Sequence, residues 1–309
     1  HVYVYSLSGA DALANYVPAA SGLNQGITGL STTTTPYLQP LVADAQFTSI
    51  LTVGDQVGSY KMVGIPDGAG AFDNNDGTFT MLLNHELGNA VGVTRAHGSI
   101  GAFISKWTIN KSDLSVVSGS DLIQTTYLWN STTSAYEQQT AIFNRFCSAD
   151  LAPVSAFYNA ATGNGSQERI FLNGEESGAE ARAFAHIASG ANTGVTFQLP
   201  RMGRYSFENA LASPVASDKT IVIGTDDTTP GEVYVYVGTK TNTGNEIERA
   251  GLTNGSLYGV AVTGLAAEVS ASIPADGTTF TLASLGNVEN MTGAALQTAS
   301  TTASVTKFL

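Results

Sequence analysis

A chain of 309 residues, 43% of them hydrophobic, can bury one large core or two smaller ones. Only 12% are charged and the net charge is −12, so solubility rests on Thr, Ser, Asn and Gly, and no basic run is present to neutralise a row of phosphates. Nucleic acid is thereby excluded as an expected partner. The single cysteine excludes an intrachain disulfide framework, and no stretch approaches the ~20 apolar residues of a membrane helix.

In chain order, the Thr/Gly-rich opening, with SGLNQGITGLSTTTTPYLQPL, reads as an irregular lead-in over residues 1–50. Residues 51–309 read as one all-β domain. The turn DNNDG (73–77) precedes a strand in TFTMLLNHE (78–86). Further short β-rich runs bounded by Gly, Asn or Asp follow in ERIFLNGEE (168–176), KTIVIGTDD (219–227) and EVYVYVGTK (232–240). PADGTTFTLASL (274–285) repeats the tight-turn device. Helical signal is weak, and strongest in SGAEARAFAHIAS (177–189), whose Ala, Glu and Arg favour helix; TGLAAEVSAS is a poorer second. The last run, TASVTKFL, reads as a strand or a loop entry with no closing element after it.

Three of these strands share a plan: LLNHE, FLNGEE and VIGTDD each end an apolar run in a polar or Gly residue and then acid. Strands that always present carboxylates at one end are what a β-propeller delivers to its central channel. At ~40–50 residues per blade the chain holds six blades at most. A β-sandwich competes, but its strands need not bring acidic ends together. An acidic surface with converging carboxylates fits calcium or another cation, because several close carboxylates cannot all stay ionised without one.

The individual candidates follow. Asn84-His85-Glu86 offers an amide, an imidazole and a carboxylate, with Asn84 and Glu86 on one face of a strand and His85 on the other. Glu175 and Glu176 are adjacent acids after an apolar run. Glu208 stands four residues after Arg204, a spacing that also suits a plain surface ion pair. Asp226 and Asp227 open a turn, the commonplace use of aspartate. Cys147, in NRFCSADLAP, is either a small buried hydrophobe or a thiolate favoured by Arg145. No nucleophile elbow, P-loop or Rossmann fingerprint occurs.

NHELGNAVGVTRAHGSIGAFISKW, NRFCSADLAP, FLNGEESG, GRYSFEN and IVIGTDDTTPGEVYVYVG, in this order over roughly residues 60–240, resemble the PhoX-type alkaline phosphatases, a family of secreted bacterial phosphatases. The resemblance implies a six-bladed propeller whose channel holds calcium (Ca2+) and ferric iron (Fe3+). Glu86, Glu175, Glu176, Glu208 and Asp226 or Asp227 would be the carboxylate ligands and Cys147 the thiolate on iron. The substrate would be a small phosphoester; by charge alone, Arg204 is the preferred group to hold its remaining phosphate charge, with Arg182 and His85 as alternatives. A secreted, periplasmic or cell-surface location goes with this reading. Family members are commonly longer, so later blades with further ligands are expected outside this chain. The alternative of another class is a non-catalytic, calcium-stabilised surface or filament-forming β protein that associates with itself.

Overall fold

The structure is a computed structural model describing residues 26–38, 40, 45–271 and 273–309, with the strand backbone at Val2–Ser6. Half of the expected lead-in over 1–50 lies outside these described residues, and the described half is not irregular, because it contributes three strands of one sheet. Strands β1 (Val2–Ser6), β2 (Ile27–Thr28) and β3 (Gln46–Leu51) form a small sheet in the order β1-β3-β2, followed by the hairpin β4 (Gln56–Val57) and β5 (Tyr60–Lys61). A four-stranded sheet runs in the order β6 (Pro66–Asp73), β7 (Thr78–His85), β8 (Phe103–Asn110) and β9 (Val116–Asp121).

Next come β10 (Thr125–Asn130), β11 (Ala135–Gln138), β12 (Phe146–Asp150), the turn α1 (Val154–Phe157), the pair β13 (Tyr158–Asn159) and β14 (Asn164–Gly165), β15 (Ile170–Glu175), β16 (Ala183–Ile187) and β17 (Val195–Gln198). Their six-stranded sheet has the order β11-β10-β17-β16-β15-β12. The last sheet takes β18 (Phe207–Ala212), β19 (Lys219–Asp226), β20 (Gly231–Thr239), β21 (Ser256–Val262) and β22 (Phe280–Gly286) in chain order, with β23 (Lys307–Phe308) paired to β20. Helices α2 (Glu246–Arg249) and α3 (Gly293–Thr302) complete it. The molecule is all-β, with several open sheets, few helices and no closed barrel among the described residues.

Two compact units divide the chain: His1–Pro66 with Ala71–Leu82 and Ser105–Ser120, and Asp67–Gly70 with Leu83–Ile104 and Asp121–Leu309. In the first, fully buried Trp107 meets Tyr60 edge-on, ring centroids 5.2 Å apart. The second holds the main core. Ile170 and Leu172 of β15, with Ala183, Ala185 and Ile187 of β16, share one cluster with Phe207, Val222, Tyr234 and Tyr236 of the last sheet and Leu296 of α3. The opposite face of β15 and β16 is aromatic and polar, carrying Phe171, Asn173, Phe184 and His186. Strand β15 is thus buried on both faces, which explains its unbroken apolar run.

Two helical expectations are corrected. The Ala-rich stretch 177–189 is not a helix: Ala183–Ile187 is strand β16, every residue buried between β15 and β17. Two-sided burial in a sheet overrides the helical preference of Ala, a weak prior of a few tenths of a kcal/mol per residue. TGLAAEVSAS forms no helix over its described residues either. The longest helix among the described residues instead is α3, from the Thr-rich TGAALQTASTT. Thr292 caps it by accepting from the Ala295 N–H at 3.2 Å, and Leu296 anchors it in the core.

Candidate metal centre

The second unit brings three edge strands together. A side chain at Gly68 of β6 would collide with Ser148 and Ala149 of β12, and one at Gly174 of β15 would collide with Phe207 of β18. Glycine at those two places lets the backbones approach closely enough for their neighbours to meet. The neighbours are Asp67, Cys147 and Glu208, each the second residue of its strand. Cys147 falls in a register break of β12 on β15, and Glu208 in one of β18 on β19. Such bulges turn a side chain away from the regular pleat.

The strands that follow in each sheet add a second set. Beyond the last residue of β7 stands Glu86, beyond β15 stands Glu176 and beyond β19 stands Asp227. Phe146 pairs with Glu175 and Phe207 with Asp226, so the same register recurs in two sheets, one residue before each site group. Asp67/Glu86, Cys147/Glu176 and Glu208/Asp227 are therefore three copies of one device.

These six groups form a chain of contacts. Asp67 neighbours Glu86 and Cys147, and Glu176 neighbours Cys147 and Asp227, each closely enough to shift its titration. Cys147 Sγ stands 3.8 Å from Glu208 Oε2. One ligand atom each from Cys147, Glu176 and Glu208 fits within 4.8 Å of the others. The electrostatics are those of a crowded anionic site. Burial, then Glu86, raises the Asp67 pKa, and burial with Asp227 raises that of Glu176. Burial, then Glu176, Asp67 and Glu208, pushes the Cys147 thiol far above its ordinary range. Arg145 supplies positive charge: its Nη2 lies 2.7 Å from both Glu86 Oε1 and Glu176 Oε1, and its Nε donates to Glu86 Oε1 at 2.9 Å.

Below the acids lies an uncharged relay. Asn84 Nδ2 donates to the Cys147 carbonyl at 2.7 Å, and Asn84 Oδ1 accepts from Asn173 Nδ2 at 3.0 Å. Asn173 Oδ1 meets His186 Nε2 at 2.9 Å, and His186 Nδ1 meets Thr196 Oγ1 at 2.8 Å. The network assigns the proton to Nε2, because Asn173 Oδ1 can only accept. The relay holds the Cys147 strand in place.

Of the groups singled out from sequence, Glu86, Cys147, Glu176, Glu208 and Asp227 are brought together. Glu175 is not: buried, it accepts from Arg182 Nε at 2.8 Å and Nη2 at 2.7 Å, and from the backbone N–H of Asn144 and Arg182, both at 3.1 Å. Its four acceptor directions are taken, so the expected ligand is a structural ion pair. Asp226 turns away as well; burial, with Glu232 beside it, raises its pKa, and it accepts from Thr228 N–H at 3.1 Å. His85 is fully buried with its ring stacked on Phe103 at 4.2 Å, out of reach of any substrate. Arg204 is engaged by Glu180, donating to its carbonyl at 3.1 Å and facing Oε2 at 3.8 Å. Strand alternation explains the split: His85, Glu175 and Asp226 share one orientation, Glu86, Glu176 and Asp227 the other.

Asp67 is the group that sequence reading missed. The signal was there: PD, FC and FE open three strands that each precede an acid-ended strand.

The donor set fits metal ions. Five carboxylates crowded around one cysteine sulfur make a mixed oxygen and sulfur donor set of the kind that holds metal ions. No family model matches the chain, and no curated protein does. Among solved structures the chain is similar to Pseudomonas fluorescens PhoX in complex with vanadate, described as a transition state analogue, at 12% identity and a TM-score of 0.44. The match covers 78% of this chain and 54% of that one, so the chain spans about half the length of the structure it matches. Among the described residues no helix is long and apolar enough to cross a membrane.

Proposed function

We propose that the chain carries the metal centre of a phosphoester hydrolase. The observation that carries this reading is the convergence of Asp67, Glu86, Cys147, Glu176, Glu208 and Asp227, at equivalent places in three sheets, onto one site. Left to themselves these anions would repel or protonate, and bound cations are what makes the arrangement favourable at neutral pH. Edge strands lying side by side with acids at one end also support a propeller-like arrangement of sheets around the site. The motif resemblance described above selects calcium and ferric iron from the ions the donors accept, and a small phosphoester as substrate. Secretion or periplasmic exposure completes the reading.

Asp67, Glu86, Glu176, Glu208 and Asp227 would hold calcium and share iron with the Cys147 thiolate. Such ions, when bound, polarise a phosphoryl oxygen and stabilise the attacking and leaving oxygens. The chain's own share is positional. Bulges at Cys147 and Glu208 aim the ligands, and the Asn84–Asn173–His186 relay fixes the Cys147 backbone.

The test is hydrolysis of a chromogenic phosphate monoester at alkaline pH, with elemental analysis of the same preparation. Bound calcium and iron, with activity abolished by chelation and lost in Asp67→Asn and Glu176→Gln, is the expected result. Bound calcium without hydrolysis would replace this reading by that of a calcium-stabilised structural protein. Absence of any bound metal from protein purified with both ions would sink both.

A further inference from the structure

Two arginines flank Glu175 and Glu176, the adjacent acids at the end of β15, in opposite ways. Arg182, only 19% exposed, closes on Glu175 through both carboxylate oxygens and also donates to the Ile142 carbonyl at 2.9 Å. Arg145 is 48% exposed and spans two separate strand ends, gripping one oxygen of Glu86 and one of Glu176. Its backbone joins the same two ends: the Arg145 N–H donates to Leu87 O at 2.9 Å, and its carbonyl accepts from the Glu176 N–H at 2.9 Å. It does so at a φ of 48°, in the left-handed region a non-glycine residue rarely holds unless its surroundings impose it.

We propose that Arg145 is an internal counter-ion that divalent cations displace from Glu86 and Glu176, and that the released guanidinium then holds the phosphoryl group of the substrate. The inference rests on the metal-centre reading above. A cation entering between Glu86 and Glu176 competes for the oxygens the guanidinium occupies, and a positive charge already there opposes its entry. Once those oxygens are taken, the two backbone hydrogen bonds keep the base of Arg145 at the mouth of the site, while its half-exposed side chain swings free. A planar guanidinium with paired N–H donors then matches two phosphoryl oxygens. Arg182 cannot take this part, because leaving would strand buried Glu175 without a counter-charge. Arg145 thus tunes the site twice, lowering its cation affinity and supplying its anion selectivity.

Calorimetric calcium titration of Arg145→Met, followed by titration of the calcium-loaded protein with inorganic phosphate, tests both parts. Calcium should bind on the order of tenfold more tightly than to wild type, and phosphate on the order of tenfold more weakly. Arg145→Lys, which keeps the charge and loses the fork, should restore the wild-type calcium affinity while phosphate binding stays weak. Unchanged or weaker calcium binding by an Arg145→Met protein of wild-type Tm would overturn the counter-ion role. Unchanged phosphate binding would overturn the anion-holding role. If neither variant folds, the Nε–H resonance of Arg145 in the wild-type protein decides: it should move on calcium addition, and a fixed resonance while calcium binds defeats the proposal. A wild type that takes up no calcium brings down the metal-centre reading first, and the exchange with it, a result distinct from indifference of the Arg145 variants.

Discussion

The same strand ends build two polar regions that obey opposite rules. In the interior, Asn84, Asn173, His186 and Thr196 close on one another, and Glu175 closes on Arg182, so nearly every donor finds an acceptor. One or two residues further on, Asp67, Glu86, Cys147, Glu176, Glu208 and Asp227 gather acceptors and negative charge that Arg145 alone offsets among the described residues. A closed network stabilises a fold; a cluster of one sign strains it and waits for a ligand. The contrast between Glu175 and Glu176, adjacent in sequence, separates the closed half of this assembly from the half we propose to bind metal.

Breaking the closed half should have the largest effect. Arg182→Met removes the counter-charge of Glu175, which is 3% exposed. A stability loss of about 3 kcal/mol is expected, since an unpaired buried carboxylate has no water to replace its partner. Urea unfolding at neutral pH measures it. A loss under about 1 kcal/mol would show that Glu175 is no more confined than its neighbour.

Acid and alkali should separate the two halves by sign. Burial lowers the His186 pKa from 6.5 to about 3. Below 6.5 the unfolded chain takes a proton that the folded one refuses, so stability is lost as pH falls from 6.5 towards 3, by up to about 1.4 kcal/mol per pH unit. Asp67 and Glu176 work the other way. Their folded pKa values are raised above 3.8 and 4.5, so the folded chain keeps protons the unfolded one has released. Their contribution is lost as pH rises from those values through the folded ones, in the absence of bound cations. Melting temperature against pH, in chelator, should therefore steepen on the acid side for wild type relative to His186→Phe. On the other side, Glu176→Gln should flatten the decline towards neutral pH. If both variants shift the profile in the same direction, the division into two regions does not hold.

The sequence made the convergence of acidic strand ends legible, because carboxylates after apolar runs are unusual and the alternation of a strand is regular. Which member of each pair turns inward was not legible. That choice between Glu175 and Glu176 depends on Arg182 arriving from β16's approach, a contact formed only in the folded sheet. Strand β16 itself was hidden behind its alanines, since two-sided burial leaves no alternating pattern to read. Asp67 was hidden for another reason. Its strand alternates between exposed and half-buried positions and ends no apolar run, so only its place in the threefold repeat marks it.

The smallest effect should come from Cys147→Ser, and it sharpens the comparison most finely. The thiol is half-buried, and its ordinary packing value is small. Ser148 Oγ stands 4.0 Å away and Glu208 Oε2 3.8 Å, and a serine hydroxyl can donate to the same Asp67, Glu176 and Glu208 carboxylates as the thiol, so the substitution strands no partner. The backbone carbonyl that Asn84 holds is unchanged by the substitution. Stability without metal should therefore change by no more than about 0.5 kcal/mol. What changes is the donor set: a polarizable thiolate gives way to a hard hydroxyl, while all five carboxylates stay. Calcium binding should persist and iron content should fall, because oxygen donors alone still satisfy calcium but lose the soft ligand that favours iron. Elemental analysis beside a thermal melt reads both quantities from one preparation. If Tm falls by several degrees while iron content holds, the thiol belongs with the closed interior, and the boundary between the two regions has to be redrawn on the far side of Cys147.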